Sequence, residues 1–399
     1  MAPLLGPAFV AAIAYVDPGN VATNLTAGAT YGYLLVWVVV VASLIAILVQ
    51  FQAAKLGMAT GKSLPRLCRE RLPRWGTRVL WVQAEVVVLA TDLAEFVGAA
   101  IGMRLLFGMP VALSAAVTAA IALLMLELRR QGRTRRFELM STAALLLVGA
   151  GMLHDIAAVG HQSAAGLAGG LVPRLEGVDS LVLAMGIVGA TVMPHAVYLH
   201  SALVQGRGMT ADVAWRNPGL VRRSLRVDCV LALGVATAVN VSMIAFGAGF
   251  GVATGGTWTG DLVTVHAELA SRIGGLAALA FAVALLSSGV SSAGIGTLAG
   301  DVVMQGFLGR RVSPYLRRVL TMAPAVVALI SGVPLTGLLI ASQVVISLGV
   351  PVALFLLVWF CRDRALMGPL VNAPLTTRVA GATGTMVAAL GVCLPFTLL

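Results

Sequence analysis

Apolar residues run through the chain in long blocks, separated by short polar stretches dense in arginine and glycine. A helix needs about 20 mostly apolar residues to cross a bilayer. Blocks of that kind occupy 3–29, 31–54, 79–103, 110–128, 137–154, 179–204, 227–250, 273–300, 315–333, 335–360 and 379–398. The pattern predicts an all-α integral membrane protein of about 11 spans. The polar stretches are too short to build a core of their own, so a single transmembrane domain over 1–399 is expected. The first block is interrupted at Asp17-Pro18-Gly19-Asn20 and the sixth near Met193-Pro194-His195. The Gly-rich run 164–171 and the stretch 251–260 fit a span or a loop equally well.

Composition agrees with lipid as the solvent. The chain is 59% hydrophobic and 11% charged, whereas a soluble domain carries about 25% charged residues. It opens almost directly into an apolar run, Met1 to Val16, compatible with a trimmed tail and without a cleavable signal-peptide pattern. A net charge of +11 would suggest nucleic acid in a soluble protein. Here 24 of the 27 basic residues fall in alternate connections: between spans 2 and 3 (Lys55 to Arg78), 4 and 5 (Arg129 to Arg136), 6 and 7 (Arg207 to Arg226), 8 and 9 (Arg310 to Arg318), and 10 and 11 (Arg362 to Arg378). Only Arg104, Arg174 and Arg272 lie in the opposite set. The positive-inside rule makes the rich side cytoplasmic, which places the N-terminus inside and the C-terminus outside, with no nucleic-acid partner. Cys68, Cys229, Cys361 and Cys393 form no CxxC, so neither a zinc cluster nor a disulfide framework is indicated.

The two interruptions carry the chemistry. Proline removes a main-chain donor and clashes with the preceding turn, and glycine loosens the helix further. The first break therefore frees carbonyls around Ala14 and Tyr15, and the second frees that of Ala190. Bare main chain at membrane depth is tolerated only inside protein or along a wet cavity, and an acid there reads as functional. Asp17, Asn20 and a free carbonyl would make an oxygen-rich cation site. The competing reading is a proline kink whose second half-helix is capped by Asp17 and Asn20. Broken helices at corresponding places in two halves point to a transporter's midplane site. Spans 1–5 (1–155) and 6–10 (178–360) would be inverted repeats, with 379–398 appended. Met193 adds a soft thioether to hard oxygen donors, a mixture that suits manganese, iron, cobalt or cadmium and disfavours calcium and magnesium.

These residues resemble the paired signatures of the Nramp family of proton-coupled divalent-metal transporters. Asp17-Pro18-Gly19-Asn20, Met193-Pro194-His195, Thr91-Asp92-Leu93-Ala94-Glu95 and Ala341-Ser342-Gln343-Val344-Val345 follow that family's pattern in order along the whole chain. The likeness is nearest to its bacterial manganese transporters. One departure is Ala196-Val197, where the family commonly has asparagine; it leaves the metal ligands untouched. The resemblance implies a LeuT-like fold with discontinuous helices 1 and 6 in a bacterial inner membrane. It implies a metal site of Asp17, Asn20, Met193 and the carbonyls of Ala14 and Ala190, joined by Gln343 in some conformations. It also implies proton movement near His195, Asp92 and Glu95. No cofactor is expected beyond the transported Mn2+, Fe2+ or Cd2+, and the chain is expected to act as a monomer.

Residue spacing supports that proton path independently. Asp92 and Glu95 are three apart and share a helix face, which suits a proton-exchanging file or a structural ion pair with a neighbouring helix. His195 and His200 are five apart and diverge by about 140° around a helix, so they should not chelate one ion. His195 would face the cavity, and His200 would line the inner path or satisfy a main-chain group. A divalent ion arriving at Asp17 favours its charged form and expels a proton, linking metal entry to proton release. Ser287, Ser288, Ser291 and Ser292 read mainly as close packing. A sodium-coupled carrier of small solutes fits less well, because Asp17 would repel a substrate carboxylate and Met193 would have no purpose. A passive metal channel does not need two broken halves, and an intramembrane metalloenzyme would want an HExxH that the sequence lacks.

Overall fold

Proline placement divides the helices. The computed structural model describes residues 6–130, 134–205, 211–256, 260–310 and 312–397. The first apolar block is two half-helices, α1 (Pro7–Ala14) and α2 (Pro18–Tyr31). Then come α3 (Val36–Thr60), the short α4 (Leu64–Arg71), α5 (Arg74–Phe107), α6 (Val111–Arg130), α7 (Thr134–Val159) and the short α8 (Ala164–Gly169). The sixth block is again two halves, α9 (Gly177–Thr191) and α10 (Pro194–Leu203). A short α11 (Ala211–Arg216) precedes α12 (Pro218–Ala253), and a short α13 (Leu262–Glu268) precedes α14 (Gly275–Leu308). The chain ends with α15 (Pro314–Ile330), α16 (Leu335–Cys361), the short α17 (Arg364–Met367) and α18 (Pro374–Thr397). Each predicted block has its counterpart, and the ambiguous run 164–171 is largely α8. Among the described residues, 7 helices are long and apolar enough to cross a membrane by length and composition, the pair Gly177–Leu203 counted as one.

Several expectations from charge change. Lys55 was expected in a connection, yet it lies inside α3, buried and hydrogen-bonded to Asn372. Arg317 and Arg318 were expected in the connection between spans 8 and 9, yet they lie in α15 with both side chains buried. Charge at a block's edge reads as loop, but a helix can carry it inward when an acceptor waits there, an amide for Lys55 and a carboxylate for Arg317 and Arg318. Arg133, Arg207 and Arg311 lie outside the described residues.

The half-helices sit at the centre. α2 packs on α9, and α3, α5, α12, α14 and α16 surround the two pairs. The short α1 needs an anchor, because the first four N–H groups of a helix have no partner within it. Asp228 of α12 supplies one: the main-chain N–H groups of Gly6 and Ala8 donate to its two carboxylate oxygens, each at 2.9 Å. Close approach of α2 to α12 depends on glycine at both faces. A Cβ on Gly28 would overlap the Ile244 carbonyl, and one on Gly247 would overlap that of Leu25.

Gly28→Val should therefore destabilise the fold by at least the roughly 1–3 kcal/mol typical of overpacking. Gly234 lies in the same α12 with nothing within 4 Å of its would-be Cβ, so Gly234→Ala should be neutral or stabilising. Thermal unfolding in detergent separates the two; equal losses would show that the α2–α12 approach is not the limiting contact.

Candidate metal-ion site between the broken helices

The main-chain consequences of each proline are visible. Pro18 cannot donate to the carbonyl of Ala14, nor Pro194 to that of Ala190, because proline lacks the N–H four residues on. Freed groups nearby find donors on other helices. Asn240 Nδ2 of α12 donates to the Tyr15 carbonyl at 2.7 Å, and the Ser288 hydroxyl of α14 donates to that of Val16 at 2.6 Å. Ser288 thus does more than let helices approach. Asn24 Nδ2 in turn donates to Asn240 Oδ1 at 2.7 Å, fixing the amide that holds Tyr15.

Asp17 is the N-cap of α2, as the capping reading required. The Asn20 main-chain N–H donates to Asp17 Oδ1 at 2.7 Å, and Asn20 Nδ2 donates to the same oxygen at 2.8 Å. The other oxygen, Oδ2, meets Gln343 Nε2 of α16 at 3.4 Å. Capping and ion binding are therefore compatible, since one oxygen holds the helix while the second faces a weakly bound amide. Asn20 Nδ2 also donates to the freed Ala190 carbonyl at 2.9 Å, so a single side chain spans both breaks. Gly19 makes room for this, because a Cβ there would overlap the Gln343 amide. Met193 is the N-cap residue of α10 and is fully buried. Asn20 Oδ1, Gln343 Oε1 and Thr191 Oγ1 are buried without a hydrogen-bond partner among the described residues. Each such acceptor costs about 1–3 kcal/mol unless something satisfies it, and a cation satisfies several at once. Among the described residues no three His, Cys, Asp or Glu side chains converge, so an ion here must draw on carbonyl, amide and thioether donors.

The chain matches the Nramp family profile (natural resistance-associated macrophage protein-like) over residues 8–397. The chain belongs to the Nramp family. A relative from Deinococcus radiodurans, described as divalent metal cation transporter MntH, is 45% identical over 388 residues, covering 97% of this chain and 88% of its own. The crystal structure of an Eremococcus coleocola manganese transporter, with an aromatic bis-isothiourea compound bound, superposes with a TM-score of 0.85 at 28% identity. That match covers 99% of this chain and 87% of the other. MhsT in complex with L-phenylalanine matches with a TM-score of 0.66 at 13% identity, covering 99% and 98% of the two chains. That likeness is one of fold, and with it the Nramp chain takes its place among LeuT-like folds.

The acid and histidine residues form a second layer in this Nramp chain. His195 is one residue past Pro194, and its Nδ1 lies 3.2 Å from the Thr91 hydroxyl of α5. Asp92 accepts from Arg318 Nη1 at 2.7 Å, with both side chains buried. About two turns towards the start of α5, Glu85 accepts from Arg317 at 3.2 Å and from Trp81 Nε1 at 3.2 Å. Both oxygens of Glu95 are buried without a hydrogen-bond partner among the described residues. The Ser292 hydroxyl, close to Glu95, donates to the Gly289 carbonyl at 3.3 Å. Asp92 and Glu95 do share a face, and both lie against Gly296 of α14, where a Cβ would reach their carboxylates. His200 meets Gln50 Oε1 at 2.8 Å through Nδ1, a side chain where a main-chain partner was one expectation. Gln50 in turn donates to the Tyr15 hydroxyl. Asp228, Gln50 and Asn24 went unnoticed in the sequence, and Arg317 and Arg318 were read only as loop charges, because each acts on a residue more than 30 positions away.

Breaking the buried Arg318–Asp92 pair from one side leaves an uncompensated charge, which costs about 3–5 kcal/mol. Arg318→Met should lower the unfolding midpoint strongly, and adding Asp92→Leu should recover most of the loss. A double variant no more stable than the single one would show that the pair is not the source of the effect.

Proposed function

We propose that the chain is a secondary active transporter that imports divalent transition metals, Mn2+ and Fe2+ first and Cd2+ or Co2+ as well, with proton cotransport. The observation that carries this reading is the Asn20 amide, bonded at once to Asp17 in one broken helix and to the Ala190 carbonyl in the other. Turning that amide about its terminal torsion puts Oδ1 where Nδ2 stands. A cation then replaces the amide hydrogens as the bridge between the halves. Its ligands are Asp17, Asn20, Met193 and the carbonyls of Ala14 and Ala190, with Gln343 supplying its unpaired oxygen in part of the cycle. The thioether sets the preference for transition metals over calcium and magnesium.

The proton leaves Asp17 as the ion arrives and passes by way of His195, Asp92 and Glu95, with His200 on the inner route. The buried Glu95 carboxyl, without a hydrogen-bond partner among the described residues, supports a place on that path, and Arg318 steadies the charge of Asp92. Asp17, Asn20, Met193 and Gln343 are all buried. Exchange with either aqueous phase therefore requires the half-helices to move, as alternating access between inverted repeats 1–155 and 178–360 provides. The arginine-rich side, with the N-terminus, is cytoplasmic in this reading, the C-terminus is outside, and one chain is the working unit.

Uptake of metal into liposomes reports on this directly. Entry should rise at acid external pH, need no sodium and ignore excess calcium. Asp17→Asn should reduce uptake to background. Met193→Ala should depress cadmium uptake by roughly tenfold or more and let calcium compete, as loss of the only soft donor implies. Sodium-dependent uptake of an organic solute, or full uptake by Asp17→Asn, would refute the assignment.

A further inference from the structure

The geometry points to a binding site for one anionic phospholipid between α6 and α7, with an acyl chain in the groove there and the phosphate beside the arginine-rich helix ends. α6 packs on α5, α14 and α15, whereas α7 packs on α12 and α14. Between them lies a groove of about 500 Å3 floored by α14. Its walls include Leu106, Ile121, Met140, Ala144 and Leu147. Met140 and Leu147 are about half exposed, as are Leu124, Leu139 and Leu146 nearby, so the groove opens sideways on the face that meets lipid. Water is a poor filling, because an ordered water needs 2–4 polar partners. Ser287 and Ser291 are the polar side chains of the lining, and the Ser291 hydroxyl is already donated to the Ser287 carbonyl at 2.6 Å.

Charge selects the headgroup. In sequence, α6 ends on Arg129 and Arg130, and α7 begins with Arg135 and Arg136 in its first turn. Met140, at one end of the groove, is four residues from Arg136, or about 6 Å along the helix axis. An acyl chain seated in the groove therefore carries its phosphate to the level of those helix ends. Basic clusters beside membrane-facing crevices favour anionic lipid over zwitterionic lipid. The site also touches the acid layer: Ile121 and Val290 line both this groove and the small cavity beside Glu95 and Arg318. A bound chain thus sits one side-chain layer from Glu95.

Native mass spectrometry of the full chain in detergent, titrated with phosphatidylglycerol or phosphatidylcholine, tests this. One phosphatidylglycerol per chain should be retained in roughly tenfold or greater preference, given several arginines near the phosphate. Ala144→Trp, which fills the groove, should abolish that retention, while Leu153→Trp on an exposed face of α7 should keep it. The double variant Arg135→Gln/Arg136→Gln leaves the groove open, so it should still hold a lipid but lose the preference. Equal retention of both lipids by the unaltered chain, or phosphatidylglycerol still held by Ala144→Trp, would overturn the proposal. So would a dimer that Ala144→Trp dissolves, since a second copy would then be what covers the groove.

Discussion

Main-chain groups released by proline deep in an apolar protein must find partners, and the rest of the molecule is arranged around that need. Pro18 and Pro194 each release a carbonyl where no bulk water can reach. Asn240 and Ser288 hold the carbonyls of Tyr15 and Val16 from neighbouring helices. Asn20 holds that of Ala190 from the opposite break. With the flanking carbonyls tied down, Asp17, Asn20 and Met193 are left at the junction of four half-helices. In the proposed function, that junction is where a cation would take the place of hydrogen bonds that the helices lost.

The surroundings keep that junction rigid on one side and chargeable on the other. Asp228 fixes the start of α1, so the first half-helix is anchored by α12 rather than by its own length of eight residues. On the other side, α15 brings two arginines to the carboxylates of α5. Asp92 is compensated by Arg318, while the carboxylate oxygens of Glu95, three residues on, have no hydrogen-bond partner within bonding geometry among the described residues. A compensated acid beside an uncompensated one can exchange a proton without creating two bare charges, the arrangement a proton-coupled carrier needs.

The fold was legible because its governing signal is local. Apolar blocks set the helices, and a proline with a polar neighbour inside such a block can only be a break. Asp17, Asn20 and Met193 announced themselves that way. The alternation of basic residues separated the blocks but read Lys55, Arg317 and Arg318 as solvated charges, whereas all three are buried. Charge at a segment's end is read as solvated unless its distant partner is known, and Asn372, Glu85 and Asp92 lie far away in sequence. Asp228 and Gln50 escaped for the same reason. Ser288 resembled helix-packing glue until the carbonyl of Val16 was seen to lie within its reach. The groove between α6 and α7 has no local sequence signature, since it depends on how α6, α7 and α14 pack together.

X-ray absorption of the cadmium-loaded protein tests the central claim most directly, because it counts the donor types around the ion. The account predicts one sulfur among oxygen neighbours, with the sulfur signal lost in Met193→Ala and the oxygen shell retained. An all-oxygen shell in the unaltered protein, or a sulfur neighbour that survives Met193→Ala, would contradict a site built where the two broken helices meet.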